Sequence, residues 1–328
     1  MDRERNLYMK KRIIACILAL TIFCSANPVE IQAAQSYEEH FQASEQSLLE
    51  QHYGDSLDGL GQDAAILNAD EDQTFQGDVG NALLIDATHD QVLASQNALK
   101  KAYPASTTKV LTALLTLEHC KLTDTVVIEN PITFNEGGVV AVGLKKGDKI
   151  KVEGLLNALL IESANDCAVA LAEHIAGSTK AFAKMMNQRA KELGATHCNF
   201  VTTNGLHDAK HYVTAYDLYL IFKEAIKYDA FLNIVGKANY TLDYETAAGV
   251  PMSIPMDTTN HYILGDYNLP ENIFMIGGKT GTTDKAGSCL VILTKDNEGT
   301  EYISIVLKAN TKDVLYHTMS ELLEKSHK

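Results

Sequence analysis

The sequence predicts an α+β fold: one antiparallel sheet flanked by helices, built from strands at both ends of a domain, with an all-helical lobe inserted between them. Three observations predict it. Strand-like runs bounded by turn residues occur just after residue 80. Strand-like runs return after residue 272, two of them joined by Asp296-Asn297-Glu298-Gly299, a hairpin signal. Between these two regions apolar residues recur at helical spacing. Strands and helices that are segregated along a chain, rather than alternating, favour this class.

The elements follow in order. Ala82-Leu83-Leu84-Ile85-Asp86 reads as a strand, Thr88-His89-Asp90 as a turn, and residues 91–95 as the return strand. Residues 107–118 carry Val110, Leu111, Leu114, Leu115 and Leu117 at helical spacing. Residues 152–160 and 165–175 are two further apolar helices, and 181–193 is amphipathic with Gly194 as its stop. Residues 214–228 form a helix opened by a Thr214 cap with Asp217 three residues on. Residues 273–278, 288–294 and 302–308 read as strands, and 313–325 as a last helix. That helix places Leu315, Met319, Leu322 and Leu323 on one side, a face that suits packing on a sheet better than lying on a membrane. No internal repeat or low-complexity tract interrupts this order.

With 328 residues, 46% apolar and 21% charged, the chain has the composition of a globular protein and can bury a sizeable core without disulfides or metals. Its first residues stand apart. Lys10, Lys11 and Arg12 precede the mostly apolar residues 13–26, a run shorter than the ~20 residues that span a bilayer. Small residues follow at Cys24-Ser25-Ala26 and again at Ala33-Ala34. Residues 1–34 are therefore expected to be a signal peptide cleaved near Ala26 or Ala34, exporting the rest; an uncleaved segment would be the chain's contact with a membrane. Cys16 is too close to the basic cluster to be a lipoprotein cysteine. Residues 35–80 contain eleven acidic residues and neither Lys nor Arg, which reads as a solvated spacer or weakly ordered arm. Leu48, Leu49, Leu57, Leu60, Ile66 and Leu67 could dock part of it on the domain that follows, 81–328.

The net charge is −14 and becomes more negative once the basic leader is removed, so the chain repels phosphate backbones and nucleic acid is excluded as a partner. Cys120, Cys167, Cys198 and Cys289 remain after the leader, at spacings that match no metal pattern; buried free thiols are the simplest reading.

Three short segments carry candidate chemistry. In Pro104-Ala105-Ser106-Thr107-Thr108-Lys109, Ser106 opens a helix and Lys109 lies one turn on, sharing its face. A desolvated lysine loses its proton near neutral pH and can then act as a base for a serine nucleophile. Alone, such a pair reads more simply as a helix cap with a surface lysine. In Glu162-Ser163-Ala164-Asn165-Asp166, Ser163 could relay a proton and Asn165 could bind substrate, or either could cap the helix that follows. Gly277-Gly278-Lys279-Thr280-Gly281-Thr282-Thr283 reads as the end of a strand running into a turn, where glycines let a substrate backbone lie against the edge.

Each segment is weak alone, but the three in this order define the penicillin-recognising serine enzymes. Over residues 80–327 the chain resembles the low-molecular-mass penicillin-binding proteins, the serine-type D-Ala-D-Ala carboxypeptidases. Asn204-Gly205-Leu206-His207 and Thr214-Ala215-Tyr216-Asp217-Leu218 are also similar to a stretch these enzymes carry between the second and third motifs. The resemblance implies a penicillin-binding protein/serine β-lactamase-like fold, a peptidoglycan pentapeptide as substrate, β-lactams as inhibitors, and neither cofactor nor metal. It also implies roles. Ser106 attacks the carbonyl of the penultimate D-alanine, Lys109 takes its proton, and Ser163 shuttles a proton to the leaving amine. Asn165 binds the peptide, Lys279 sets the electrostatics, and Thr280 contacts the terminal carboxylate. The N–H groups of Ser106 and Thr282, beside Gly281, form the oxyanion hole.

Two departures qualify the likeness. Arg189 is the only arginine after residue 34, whereas some relatives read the substrate carboxylate with an arginine near the last strand; here Lys279, Thr280, Thr282 or Lys308 must do so. Many relatives also carry a C-terminal β-rich domain and an amphipathic anchor, and this chain ends soon after its last predicted strand. His207-Asp208-Ala209-Lys210-His211 has the spacing of a zinc-binding helix, but its neighbours read as loop. A class A β-lactamase would need a carboxylate to activate the deacylating water, and no Glu-x-x-Leu-Asn lies between Asn165 and Lys279. A non-catalytic muropeptide or penicillin binder is the other alternative, and the completeness of the candidate residues argues against it.

Overall fold

A computed structural model describes residues 75, 77–134 and 138–327. The expectations for the leader and for most of the acidic arm fall outside the described residues.

The first strand, β1 (Asn81–Asp86), is buried along its whole length and pairs with β2 (Gln91–Gln96). Its other neighbour comes from the opposite end of the chain. Strands β7 (Ile273–Thr283), β8 (Gly287–Asp296) and β9 (Glu301–Ala309) complete a five-stranded antiparallel sheet in the order β2-β1-β9-β8-β7. The sheet is covered on both faces, which is why β1, β8 and β9 read as unbroken apolar runs rather than alternating ones. On one face the last helix, α8 (Lys312–Leu323), buries Leu315, Met319, Leu322 and Leu323 against Leu84, Leu290, Ile292 and Val306, as its apolar stripe suggested. Phe75 and Val79 join this core ahead of the expected domain start at residue 81. The turn between β8 and β9 is held by Asp296, whose Oδ1 accepts the N–H groups of Glu298 and Thr300.

The intervening lobe contains α1 (Lys109–His119), α2 (Val152–Leu160), α3 (Asn165–Ala176), α4 (Thr179–Glu192), α5 (Ala215–Ala225), α6 (Asp229–Val235) and the short α7 (His261–Leu264). Helix α1 is buried from Lys109 to Thr116 and is packed by α2, α3, α4 and α5. Such a helix buries all of its faces, including any polar side chain in its first turn. Helix α5 rests on β1 and β9 and opens with the Thr214–Asp217 capping box that its sequence predicts. It stops at Ala225 because the chain tightens into i→i−3 bonds at Lys227 and Tyr228, and α6 restarts after them.

The α+β class and the antiparallel sheet built from both chain ends are as expected. The lobe departs from expectation in one respect, since it is not all-helical. Beside its helices lies a second antiparallel sheet of β3 (Thr125–Val127), β4 (Lys149–Lys151), β5 (Asn239–Glu245) and β6 (Pro251–Asp257). β5 does carry the alternation of a half-buried strand: Tyr240, Leu242 and Tyr244 are buried or half-buried between exposed Asn239, Thr241, Asp243 and Glu245, although no strand was expected there.

Candidate active site

Strand β7 is an edge strand, so one side of its backbone is not engaged in the sheet. That edge faces a cleft of about 570 Å³ whose walls include Ser106, Ser163, Asn165, Thr280, Gly281 and Thr282. The three motif segments, far apart in sequence, therefore meet at one place.

Ser106 sits on a single 3₁₀ turn, Ala105–Thr108, and α1 begins only at Lys109. In a 3₁₀ turn the side chains at i and i+3 eclipse, which brings this pair together more closely than an α-turn would. Lys109 Nζ lies 2.8 Å from Ser106 Oγ. Neither Ser106 nor Lys109 caps a helix through its side chain, and Lys109 is wholly buried rather than on the surface. Its Nζ donates to Asn165 Oδ1 at 3.0 Å and to the Asn204 carbonyl at 2.6 Å. Two N–H groups are thus committed to oxygen acceptors, and the lone pair of a neutral amine is left for the serine hydroxyl. Burial holds the Lys109 ammonium well below the usual lysine range, and the charge of Lys279 lowers it further.

Asn165 and Asp166 tie the cleft rim to this centre. Asn165 donates both its backbone N–H and its side-chain amide to the Val140 carbonyl, each at 2.9 Å. Asp166 accepts the N–H groups of Val142, Gly143 and Leu144. Helix α3 is capped by Ala164 with no side-chain bond, so neither Ser163 nor Asn165 is spent on capping. Ser163 lines the cleft with φ at +69°, a left-handed backbone that costs energy for a residue with a Cβ.

Lys279 is not at a strand end, as its sequence suggested. It lies inside β7, which continues to Thr283, because the alternating Thr-Gly-Thr-Thr stretch still pairs with residues 287–290 of β8. Its side chain is buried, and burial brings its pKa down to about 7. Thr280 shares a hydroxyl–hydroxyl hydrogen bond with Thr259 on the cleft wall. Lys308, considered as a carboxylate reader, is elsewhere: its stem packs over Gly80 beside β1 and it does not line the cleft. Lys312, at the start of α8, does line it.

Sequence reasoning gave no role to Asn204, Gly205, Asp166, Thr259 or His211. Gly205, at φ +86°, lies so close to the nucleophile turn that a Cβ would stand 1.8 Å from the Ala105 carbonyl oxygen. Asn204 acts through its backbone, which no side-chain motif can announce. His207 and His211 lie in a loop rather than on a helix, as their neighbours suggested, and His211 is bonded to Thr108. All four cysteines of the described residues are free, with Cys167 and Cys289 buried.

Similar proteins have this organisation. A family model described as D-alanyl-D-alanine carboxypeptidase matches residues 68–311. A D-alanyl-D-alanine carboxypeptidase of Bacillus subtilis is 31% identical over 238 residues, 70% of this chain and 57% of that relative. One of Escherichia coli is 32% identical over 258 residues, 74% of this chain and 59% of the relative. The chain thus spans less than two thirds of the length of these relatives. Penicillin-binding protein D2 of Listeria monocytogenes, solved in an ampicillin-bound form, superposes with a TM-score of 0.64 at 27% identity, over 78% of this chain and 100% of that one. The Streptomyces K15 DD-transpeptidase superposes with a TM-score of 0.70 at 24% identity, over 78% and 99%, a likeness of fold.

Proposed function

The chain belongs to the D-alanyl-D-alanine carboxypeptidase family, and from that premise we propose that it removes the C-terminal D-alanine from peptidoglycan stem peptides through an acyl-enzyme on Ser106. One observation carries the reading: a buried amine, Lys109, sits 2.8 Å from the hydroxyl of a serine that lines a cleft.

The residues divide the work as follows. The neutral Lys109 amine accepts the Ser106 proton while Oγ attacks the carbonyl carbon of the penultimate D-alanine. The peptide lies along the free edge of β7, where main-chain groups can pair with it as an added strand. The oxyanion that forms is held by the N–H groups of Ser106 and Thr282, donors fixed in place before the reaction. Ser163 passes the proton from Lys109 to the amine of the departing D-alanine as the C–N bond breaks. Asn165 orients Lys109 and the peptide, and Thr280 and Lys279 meet the terminal carboxylate. Water then hydrolyses the ester and frees Ser106. A β-lactam follows the same path to acylation, but its leaving amine stays tethered, and the ester persists.

The same reading places residues 1–34 as a signal peptide, 35–80 as an acidic spacer and 81–328 as the catalytic domain of an exported, wall-acting enzyme. Among the described residues no helix is long and apolar enough to cross a membrane. The test is labelling with a fluorescent penicillin beside a D-alanine release assay on a diacetyl-Lys-D-Ala-D-Ala peptide. Labelling and release that both vanish in Ser106→Ala support the assignment. Labelling without release leaves a penicillin binder, rapid penicillin turnover indicates a β-lactamase, and wild-type protein inert to both reagents overturns the reading.

A further inference from the structure

His211 is buried, carries a titratable ring and has no place in the steps above. Its bonds are specific. The backbone N–H groups of Val201 and Thr202 both donate to Nδ1 at 3.1 Å. Two donors aimed at one ring nitrogen require that nitrogen to be unprotonated, so the ring proton is on Nε2. Nε2 in turn donates to Thr108 Oγ1 at 2.9 Å. Thr108 ends the 3₁₀ turn that carries Ser106 and directly precedes Lys109.

The other end of the connection returns to the same lysine. Thr202 Oγ1 accepts the Gly205 N–H and donates to the Leu206 carbonyl. Between these residues the Asn204 carbonyl accepts from Lys109 Nζ at 2.6 Å. The path Thr108–His211–Thr202–Gly205–Asn204–Lys109 is a closed ring of covalent and hydrogen bonds around the base. Phe200 packs edge-on against the imidazole at 5.5 Å between centroids.

We propose that His211 is a positioning residue for acylation: as a neutral Nε2–H imidazole it clasps the nucleophile turn to the 201–206 segment, and so holds the Asn204 carbonyl where it can take one N–H of Lys109. This inference rests on the acyl-transfer reading given above. The consequence is orientational. With Asn204 and Asn165 receiving the two N–H groups of the neutral amine, its lone pair points at Ser106 Oγ. If the 201–206 segment drifts, the amine is free to rotate. Burial keeps the imidazole neutral, moving it down to about 4, with Asp208 opposing the shift and His207 adding to it.

The test combines stopped-flow acylation by a fluorescent penicillin with ¹⁵N NMR of the imidazole at pH 7. The wild type is expected to show Nδ1 unprotonated and Nε2 protonated. His211→Ala and Thr108→Val should each lower the acylation rate constant at saturating penicillin by about 10- to 100-fold, the cost of misplacing a reacting group by a fraction of an ångström to an ångström. The dissociation constant of the noncovalent complex should change by less than about threefold, because the clasp acts on the base rather than on the ligand. The double variant should lose no more than either single one, and Thr108→Ser should recover the rate. An imidazolium or an Nδ1–H tautomer in the wild type overturns the proposal. So do additive losses in the double variant, a Thr108→Val enzyme with wild-type rate, or a loss confined to noncovalent affinity. If His211→Ala does not fold, the Thr108 pair and the NMR decide. If wild-type protein is not acylated at all, it is the hydrolase reading that fails, and the tautomer still reports whether the clasp exists.

Discussion

Gly281 of β7 lies against the nucleophile turn so closely that a Cβ on it would stand 2.8 Å from the backbone nitrogen of Ser106 and 2.9 Å from that of Thr107. The edge strand and the serine are thus in backbone contact, and the separation between them depends on the missing side chain. Because the neighbouring atoms are backbone, they cannot swing aside as a side-chain tip would. Gly281→Ala is expected to push β7 from the turn and lower the penicillin acylation rate by about 10²-fold, the scale of an ångström displacement at a reacting centre. Overpacking should cost about 1–3 kcal/mol in urea unfolding. An Ala variant that acylates at the wild-type rate would show that the oxyanion donors do not depend on this approach.

Lys109→Arg tests the base. Arginine keeps the positive charge but does not give up its proton in the working pH range. Acylation should fall by at least ~10²-fold, the typical worth of a general base. Mass spectrometry of the penicilloyl adduct measures this, with circular dichroism reporting the fold. Retention of more than a few per cent of the rate would remove Lys109 from the role.

Lys279→Met should shift a pH profile. The charge on Lys279 helps to depress Lys109, so its removal lets the Lys109 pKa rise, and the acid limb of the acylation profile should move to higher pH. Stability should respond as well. Lys279 titrates at about 7 when folded and at an ordinary lysine value of 10.5 when unfolded. Between those values the unfolded chain binds more protons, so wild-type stability rises with pH across this window. The melting temperature of Lys279→Met relative to wild type should therefore be most favourable near pH 7 and should lose that advantage towards pH 10. A pH-independent difference in melting temperature would mean that Lys279 is not depressed by burial.

Carboxylate recognition separates two lysines. Lys279→Gln should lose more activity on a peptide with a free C-terminal carboxylate than on the matched amide, a gap of about 1.5–3 kcal/mol for a hydrogen bond to a charged group. Lys308→Gln should leave the acid-to-amide ratio unchanged, since Lys308 packs over Gly80 away from the cleft. Steady-state kinetics on the peptide pair decides. Equal losses on acid and amide in Lys279→Gln would place that lysine's effect on Ser106 and Lys109 instead.

Asp166→Ala should loosen the cleft rim. Its carboxylate is buried and accepts four backbone N–H groups, those of Val142, Gly143 and Leu144 on the rim and that of Cys167 in its own helix. Loss of a buried acceptor costs about 1–3 kcal/mol of stability. Asp166→Asn, which keeps one acceptor oxygen, should cost less. Thermal unfolding ranks the three proteins, and an Ala variant as stable as wild type would show that the 142–144 backbone does not need this anchor.

The strands of the main sheet, the apolar stripe of α8, the capping box at Thr214–Asp217 and the three motif segments that meet at the cleft were legible in the sequence, while Gly205 and Thr259 on the same cleft were not. The first three depend on neighbours a few positions away, through a period of two or of 3.6 or a cap three residues before its partner, whereas the motif segments were weak singly and became legible only through their order along the chain. Tertiary structure decided the rest. The second sheet was not expected, although β5 alternates Tyr240, Leu242 and Tyr244 with polar residues; the two strands before it, β3 and β4, are only three residues each and too short to show a period. The 3₁₀ turn at Ser106, the extension of β7 through Lys279 to Thr283, and the place of Lys308 beside Gly80 follow from which strand lies next to which. His211 shows the difference most clearly. Its spacing from His207 suggests a metal, whereas its function is set by Thr108, 103 residues away, and by two backbone N–H groups. The depressed lysines have the same origin: a side chain's proton affinity depends on how much water its surroundings exclude, and that quantity exists only once the chain has folded around it.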